Sequence, residues 1–452
     1  MAAQSDDHAT GHDPNGSTGR RDVTGLGLAL LNRLAGAPIV HRLGLRGPVR
    51  AAVFQATRAG FRTAAAAGRT WQAGQRLGRP ARPSAAVEPD LLDLTPTDDQ
   101  RMIVETVTEF AAEQLRPAAA AADEACAAPA AMFTTAAELG IALLGVPEEL
   151  GGVATERATT TNVLVAEALA HGDLGLAVAC LAPSAVSNAI VLWGDAVQLS
   201  TYLPAFTGDN VPAAALAVLE PRPLFDPFAL RTTARRTSDG FVLDGVKSLV
   251  PRASVAELFV VAAELEGRGP ALFLVESAGI GVEAEPAMGL RAAGMGRLVL
   301  ERVRVPASAL LGGAQPEVYA DCVRLSRLGW CALAVGTGRA VVDYVIPYVN
   351  ERVAFGEPVS HRQGVAFTVA DMAIELEGMR LLTYRAAGRA EQGKPFAREV
   401  GLARKLCVDK GMFLGSAGVQ MLGGHGYVKE HPVERWYRDL RAIGVAEGIV
   451  LV

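Results

Sequence analysis

The spacing of apolar positions along the chain changes twice. From about residue 90 they recur at helical intervals, between about 213 and 306 they gather into short runs, and from about 317 the helical spacing returns. The first helix has a marked start. Thr97-Asp98-Asp99-Gln100 is a capping box, in which Thr97 and Gln100 each satisfy a free backbone N–H. Ile103, Val107, Phe110, Ala111 and Leu115 then form one apolar stripe, which Pro117 is expected to end. Further helical segments run to about Pro204, punctuated by Pro147 and Gly151-Gly152. In the middle stretch Phe241–Gly245, Leu258–Val261 and Ala271–Val275 are separated by Gly, Asp and Pro, and read as strands of a small, mostly antiparallel sheet. This order does not alternate as a doubly wound nucleotide-binding fold does. The expected class is α+β: an N-terminal helical bundle over 89–212, a middle β domain over 213–312 and a C-terminal helical bundle over 313–452.

The segment ahead of this body has another texture. Residues 1–20 are rich in Gly, Asp, Ser and His and are expected to be disordered. Residues 21–88 form a basic helical extension. Arginines stand at 33, 42, 46, 50, 58, 62, 69, 76, 79 and 82, while between 22 and 83 the only acid is Asp22. Pro48 suits a first helical turn, and Arg58, Arg62, Arg69 and Arg76 share a stripe at steps of four and seven. An accessory helical hairpin with a solvated basic face is the plainer reading. A peripheral contact of residues 21–83 with anionic lipid, or with an acidic partner, is the sharper one. A transit peptide fits less well, because acids precede it.

Composition narrows the classes. Half of the 452 residues are hydrophobic, and the net charge of −5 gives no electrostatic reason to bind nucleic acid. The five cysteines, at 126, 180, 322, 331 and 407, have no CxxC spacing, which argues against a disulfide framework or a zinc site. No uninterrupted apolar run approaches the ~18 residues that span a bilayer, and no secretory signal opens the chain. A soluble cytoplasmic protein without a metal is the expectation.

Several segments from about 90 to 452 resemble acyl-CoA dehydrogenase signatures, in order and at the right separations. They are Leu139-Gly140-Ile141 through Val146–Gly152; Gln198 with Tyr202-Leu203-Pro204; and Arg352, Phe355, Gly356 and Pro358 followed by Gln363, Phe367, Ala370, Asp371 and Met372. The most specific block is Gln420-Met421-Leu422-Gly423-Gly424-His425-Gly426-Tyr427, continuing through Pro432–Asp439. Glu447-Gly448 follows at the family's usual distance. The resemblance implies FAD as cofactor and Glu447 as the base that removes the α-proton of an acyl thioester, with its backbone N–H polarising the carbonyl. It implies that Arg352 meets the flavin pyrophosphate, that Phe355 and Gln363 contact the cofactor, and that Gln420, Gly423 and Gly424 receive the adenosine end from the adjacent subunit. Arg327 and Gly448 are the implied substrate contacts. The other family position for a base is Ser326 here, which cannot serve alone. Gly336-Thr337-Gly338 lies inside an apparent helix and is not read as a dinucleotide loop.

The departures gather in the middle domain. Leu219 stands where the family has a threonine that bonds the flavin ring, and Pro251 where a second hydroxyl approaches it. Ala293 and Met295 replace Ser and Thr, Ile449 replaces the Thr after Glu-Gly, and a last helix that relatives carry is missing after Val452. Each lost hydrogen bond is worth about 0.5–1.5 kcal/mol. The resemblance therefore implies an FAD-dependent α,β-dehydrogenation of an acyl-CoA, in β-oxidation-type fatty acid metabolism, with electrons passing to an electron-transfer flavoprotein. The alternative is a flavin-poor or complementary subunit of a mixed dehydrogenase assembly. The oligomer would be a homotetramer or a heterotetramer.

Overall fold

A computed structural model describes residues 94–152, 158–208 and 210–452. The basic extension, and with it the readings of residues 1–20 and 21–88, lies outside these residues.

Helix α1 (Asp98–Phe110) begins at the expected capping box, with both reciprocal bonds made. Its stripe does not end at Pro117. A π-helical turn, Ala111–Leu115, joins α1 to α2 (Arg116–Ala125), and Pro117 sits in the first turn of α2. The wider turn lets the chain pass a residue that has no N–H to donate. Short α3 (Ala130–Glu138) is followed by α4 (Thr159–Gly172), α5 (Leu174–Trp193) and α6 (Ala196–Phe206). Helix α5 is long and apolar enough to cross a membrane, yet 94% of that stretch is buried inside the protein. It is a core helix, interrupted in sequence by Pro183, Ser184, Ser187 and Asn188.

The middle segment supplies β1 (Ala214–Ala217), β2 (Thr233–Arg236), β3 (Gly240–Val250), β4 (Leu258–Leu265), β5 (Gly269–Glu276), β6 (Gly281–Ala284), β7 (Gly296–Pro306) and β8 (Leu310–Leu311). The sheet is mixed, because β4 runs parallel to both β1 and β2 while the other pairings are antiparallel. Strands β1 and β4 are buried on both faces and read as continuous apolar runs, as strands covered on both sides do.

Helix α7 (Pro316–Glu351) is the longest in the structure described, at 36 residues. A two-stranded hairpin, β9 (Val353–Ala354) and β10 (Glu357–Pro358), turns the chain into α8 (Gln363–Glu391) and α9 (Ala397–Leu422). Gly336, Thr337 and Gly338 are interior residues of α7, and a Cβ on Gly336 would strike the Glu167 carbonyl of α4. That close approach explains the glycine. Short α10 (Val433–Ala442) then leads to β11 (Gly448–Ile449), which pairs antiparallel with β1 and joins the sheet to the helical bundle.

Candidate active site at the seam of sheet and helices

Three elements meet at Glu447. Helix α10 delivers it and is fixed by ion pairs on its inner face. Arg435 Nε donates to Asp173 Oδ2 at 2.9 Å, and Asp173 Oδ1 caps α5 at the Leu176 N–H. Arg438 grips Asp123 through two bonds of 2.9 Å, and Asp439 accepts the Leu290 N–H at 2.6 Å. Burial, then the neighbouring Asp173, pushes the Asp439 carboxyl up to about 8. Past α10 the chain enters β11, where the Gly448 carbonyl accepts from Ser326 Oγ at 2.7 Å and Trp330 Nε1 at 2.9 Å, both on α7.

The bend after Glu447 is tight. Gly448 has φ +78, and a Cβ there would lie 2.7 Å from two atoms of Val218. Gly448→Ala is therefore expected to cost about 1–3 kcal/mol, the usual range for overpacking. A urea midpoint equal to that of the parent would contradict this. Ile449 also has φ +78, and the Val450 N–H returns to the Gly448 carbonyl at 3.0 Å, which makes Ile449 the centre of a strained three-residue turn. The strain is held by burial. Ile449 to Val452 are each at most 4% exposed, Val450 and Val452 lie against Gly329 of α7, and Asn188 of α5 bonds the Leu451 carbonyl. This hydrocarbon packs between the sheet and helices α5 and α7.

Glu447 itself is 8% exposed and faces inward. Arg327 of α7 donates to both of its oxygens, with Nε at 3.0 Å from each and Nη2 at 2.7 Å from Oε1. Arg404 of α9 stands behind, with Nη2 at 3.8 Å from Oε1. Arg327, expected from the resemblance to touch substrate, is thus engaged with the carboxylate, and the Gly448 carbonyl is engaged with α7. Ser326 occupies no proton-transfer position; its hydroxyl holds the Gly448 carbonyl.

The residues expected at the nucleotide end of a flavin gather elsewhere, at the far end of α7. Tyr348 bonds the Leu422 carbonyl at 3.3 Å and His425 Nδ1 at 2.8 Å, which brings the hairpin after α7 beside the glycine run. Arg352, Gln363 and Gln420 are exposed, and Phe355 is 97% exposed at φ +55. Gly423 and Gly424 face open space where a Cβ would point. Glu357 is engaged by Arg362 at 3.1 Å and by His361 at 3.6 Å.

At the ring end the residues offer little to a polar heterocycle. Leu219 and Pro251 are buried, the Ser248 N–H goes to the Leu219 carbonyl, and Glu285 takes the Leu249 N–H and the Ser248 hydroxyl. Arg252 is folded over the Phe133 ring at 3.6 Å. So the nucleotide end fits an anionic dinucleotide, whereas the ring end is lined by Leu219 and Pro251, with the Ser248 and Leu249 donors used and the Arg252 Nε buried without a hydrogen-bond partner.

Sequence reasoning did not find Arg404, although a signal was present. It lies beside Ala403 on the buried stripe of Val400, Cys407, Gly411 and Leu414, where a charge is out of place. It also missed the Lys247–Glu220 pair. Lys247 is fully buried, and burial, opposed by Glu220 at 3.1 Å, lowers its ammonium to about 8. Glu220 in turn accepts the Arg231 and Thr232 N–H groups, which ties the loop after β1 to β2.

Comparison with known proteins matches most of the described residues. Three family models align in chain order: Acyl-CoA dehydrogenase, N-terminal domain, over residues 97–209; the middle domain over 215–303; and the C-terminal domain over 317–449. The short-chain specific acyl-CoA dehydrogenase of Bos taurus mitochondria is 33% identical over 366 residues, covering 78% of this chain and 87% of its own. Acryloyl-CoA reductase (NADH) of Anaerotignum propionicum is 30% identical over 79% of this chain and 93% of its own. The solved butyryl-CoA dehydrogenase of Megasphaera elsdenii superposes with a TM-score of 0.72 at 27% identity, covering 79% of this chain and 96% of that one.

Proposed function

Because the chain belongs to the acyl-CoA dehydrogenase family, as an acyl-CoA dehydrogenase-like enzyme, we propose that it removes the α-proton of an acyl-CoA thioester with Glu447 in an FAD-dependent α,β-dehydrogenation. The observation that carries this is the buried Glu447 carboxylate at the seam of sheet and helices, held between two guanidinium groups.

Removal of an α-proton needs a carboxylate in a water-poor site at fixed distance from the thioester. The Arg435, Arg438 and Asp439 anchors fix α10, and the Gly448 clamp fixes the residue after the base. In the arrangement described both Glu447 oxygens accept from Arg327, so a substrate must draw Arg327 aside before the α-carbon can reach the carboxylate. Arg327 is the half-open partner, 30% exposed against 11% for Arg404, and is the one suited to move. FAD, when bound, would accept the β-hydrogen as hydride. Arg352, with Phe355, Gln363, Gln420, Gly423 and Gly424, would hold its nucleotide end, and Leu219 and Pro251 would border its ring.

Arg327 and Arg352 lie about 37 Å apart along α7, at about 1.5 Å per residue. That distance supports a site completed between subunits, with each chain lending its nucleotide-binding end to a neighbour. Phe367, Ile374 and Leu381, all exposed and seven residues apart on α8, offer an apolar stripe for such a neighbour. Electrons would leave to an electron-transfer flavoprotein.

The closed ring end favours a second reading, in which the chain is a complementary subunit that lends its nucleotide-binding end to a flavin seated mainly on an unlike family member. One preparation separates the two. The chain purified alone is expected to carry a visible flavin band that bleaches when acyl-CoAs are added. A colourless protein that acquires flavin only when co-expressed with a second family member would overturn the first reading in favour of the second.

A further inference from the structure

The two guanidinium groups at Glu447 are not equivalent. Arg327 approaches along the more open side and forks onto both carboxylate oxygens. Arg404 approaches from within α9, and its short bond is to the main chain: Nη2 donates to the Ala446 carbonyl at 2.7 Å, one residue before Glu447. Its Nη1 is buried without a hydrogen-bond partner. Burial pushes its guanidinium down, and Glu447 is the foremost group opposing that. A cation enclosed this far is costly unless a counter-charge is close, and Glu447 at 3.8 Å is the closest carboxylate contact it makes.

We infer that Arg404 is a positioning residue for Glu447: it pins the Ala446 carbonyl, so that the backbone sets where the carboxylate lies, and it keeps a positive charge behind the carboxylate when Arg327 turns toward substrate. The inference rests on the reading of Glu447 as the base. Other groups also face this carboxylate. Arg327 and Tyr319 come from α7, and the Tyr319 hydroxyl is occupied by the Pro227 carbonyl at 2.6 Å. The Cys331 and Cys407 thiols lie on the Arg404 side, and Asp226 bears on Arg327. Of the two cations, Arg404 is the more enclosed.

A base set out of place loses rate in the chemical step and leaves ground-state binding little changed. Arg404→Met is therefore expected to lower kcat for acyl-CoA turnover by about 10–100-fold with KM close to that of the parent, and Arg404→Lys, which keeps a cation and a donor near the Ala446 carbonyl, to recover most of the loss. Should Arg404→Met fail to fold, Arg404→Gln, which keeps a donor and drops the charge, gives the same comparison. A kcat unchanged in the uncharged variant, even one with a lowered melting temperature, overturns the proposal and leaves Arg404 a purely structural cation. If Glu447→Gln keeps the parent's kcat while Arg404→Met loses it, the assignment of Glu447 as base falls separately.

Discussion

Glu447→Gln is expected to lower acyl-CoA turnover by about 10²–10⁴-fold, the span that a positioned general base supplies, with the protein still folded. Glutamine has the same shape and its amide oxygen still accepts from Arg327, while its amide nitrogen, a donor, gives up the second bond from Nε. What disappears is the capacity to take a proton. It also leaves Arg327 and Arg404 without their shared counter-charge. Solvent reaches Arg327 and supports it, so the stability loss falls mainly on the enclosed Arg404. Steady-state rates with an artificial electron acceptor, beside a melting curve, separate the two effects. A variant within tenfold of the parent would show that Glu447 is not the base.

The largest loss of stability is expected from Arg435→Leu. Arg435 and Asp173 are 8% and 1% exposed, and the pair ties the helix before Glu447 to the N-terminus of α5. Removing one partner of a buried pair strands the other charge, which costs about 3–5 kcal/mol. Burial already raises the Asp173 carboxyl above its ordinary range, and Arg435 is the main group holding it down. In the variant the deficit should narrow toward low pH, because a protonated Asp173 has no charge left unpaired. Urea unfolding across the acid range measures this. Adding Asp173→Asn to Arg435→Leu should recover much of the loss at neutral pH. A double variant as unstable as the single one would mean that packing, not the stranded charge, sets the cost.

The helix starts and the strand runs were legible because they rest on local chemistry. Thr97 and Gln100 cap α1 as their spacing requires, and Phe241, Phe259 and Phe273 sit in buried strands of the sheet. Pro117 misled because its effect depends on the turn before it, and a π-helical turn has no local signature as clear as a proline. The parallel pairings of β4 with β1 and β2 join segments far apart in sequence, so no run of residues announces them. Glu447 was legible only through its register with the blocks before it. Composition alone gives a glutamate beside a glycine no reason to be buried. Its partners Arg327 and Arg404 come from two other helices, and the burial of Ile449–Val452 accompanies the pairing of β11 with β1. These are tertiary facts that a periodic pattern does not carry.

The proton-removing role proposed for Glu447 is tested most directly by exchange at the acyl α-carbon in deuterated water, followed by mass spectrometry of the recovered thioester. The parent chain is expected to introduce deuterium at the α-position and Glu447→Gln to introduce none above the uncatalysed rate. Equal exchange by the two proteins would contradict the account.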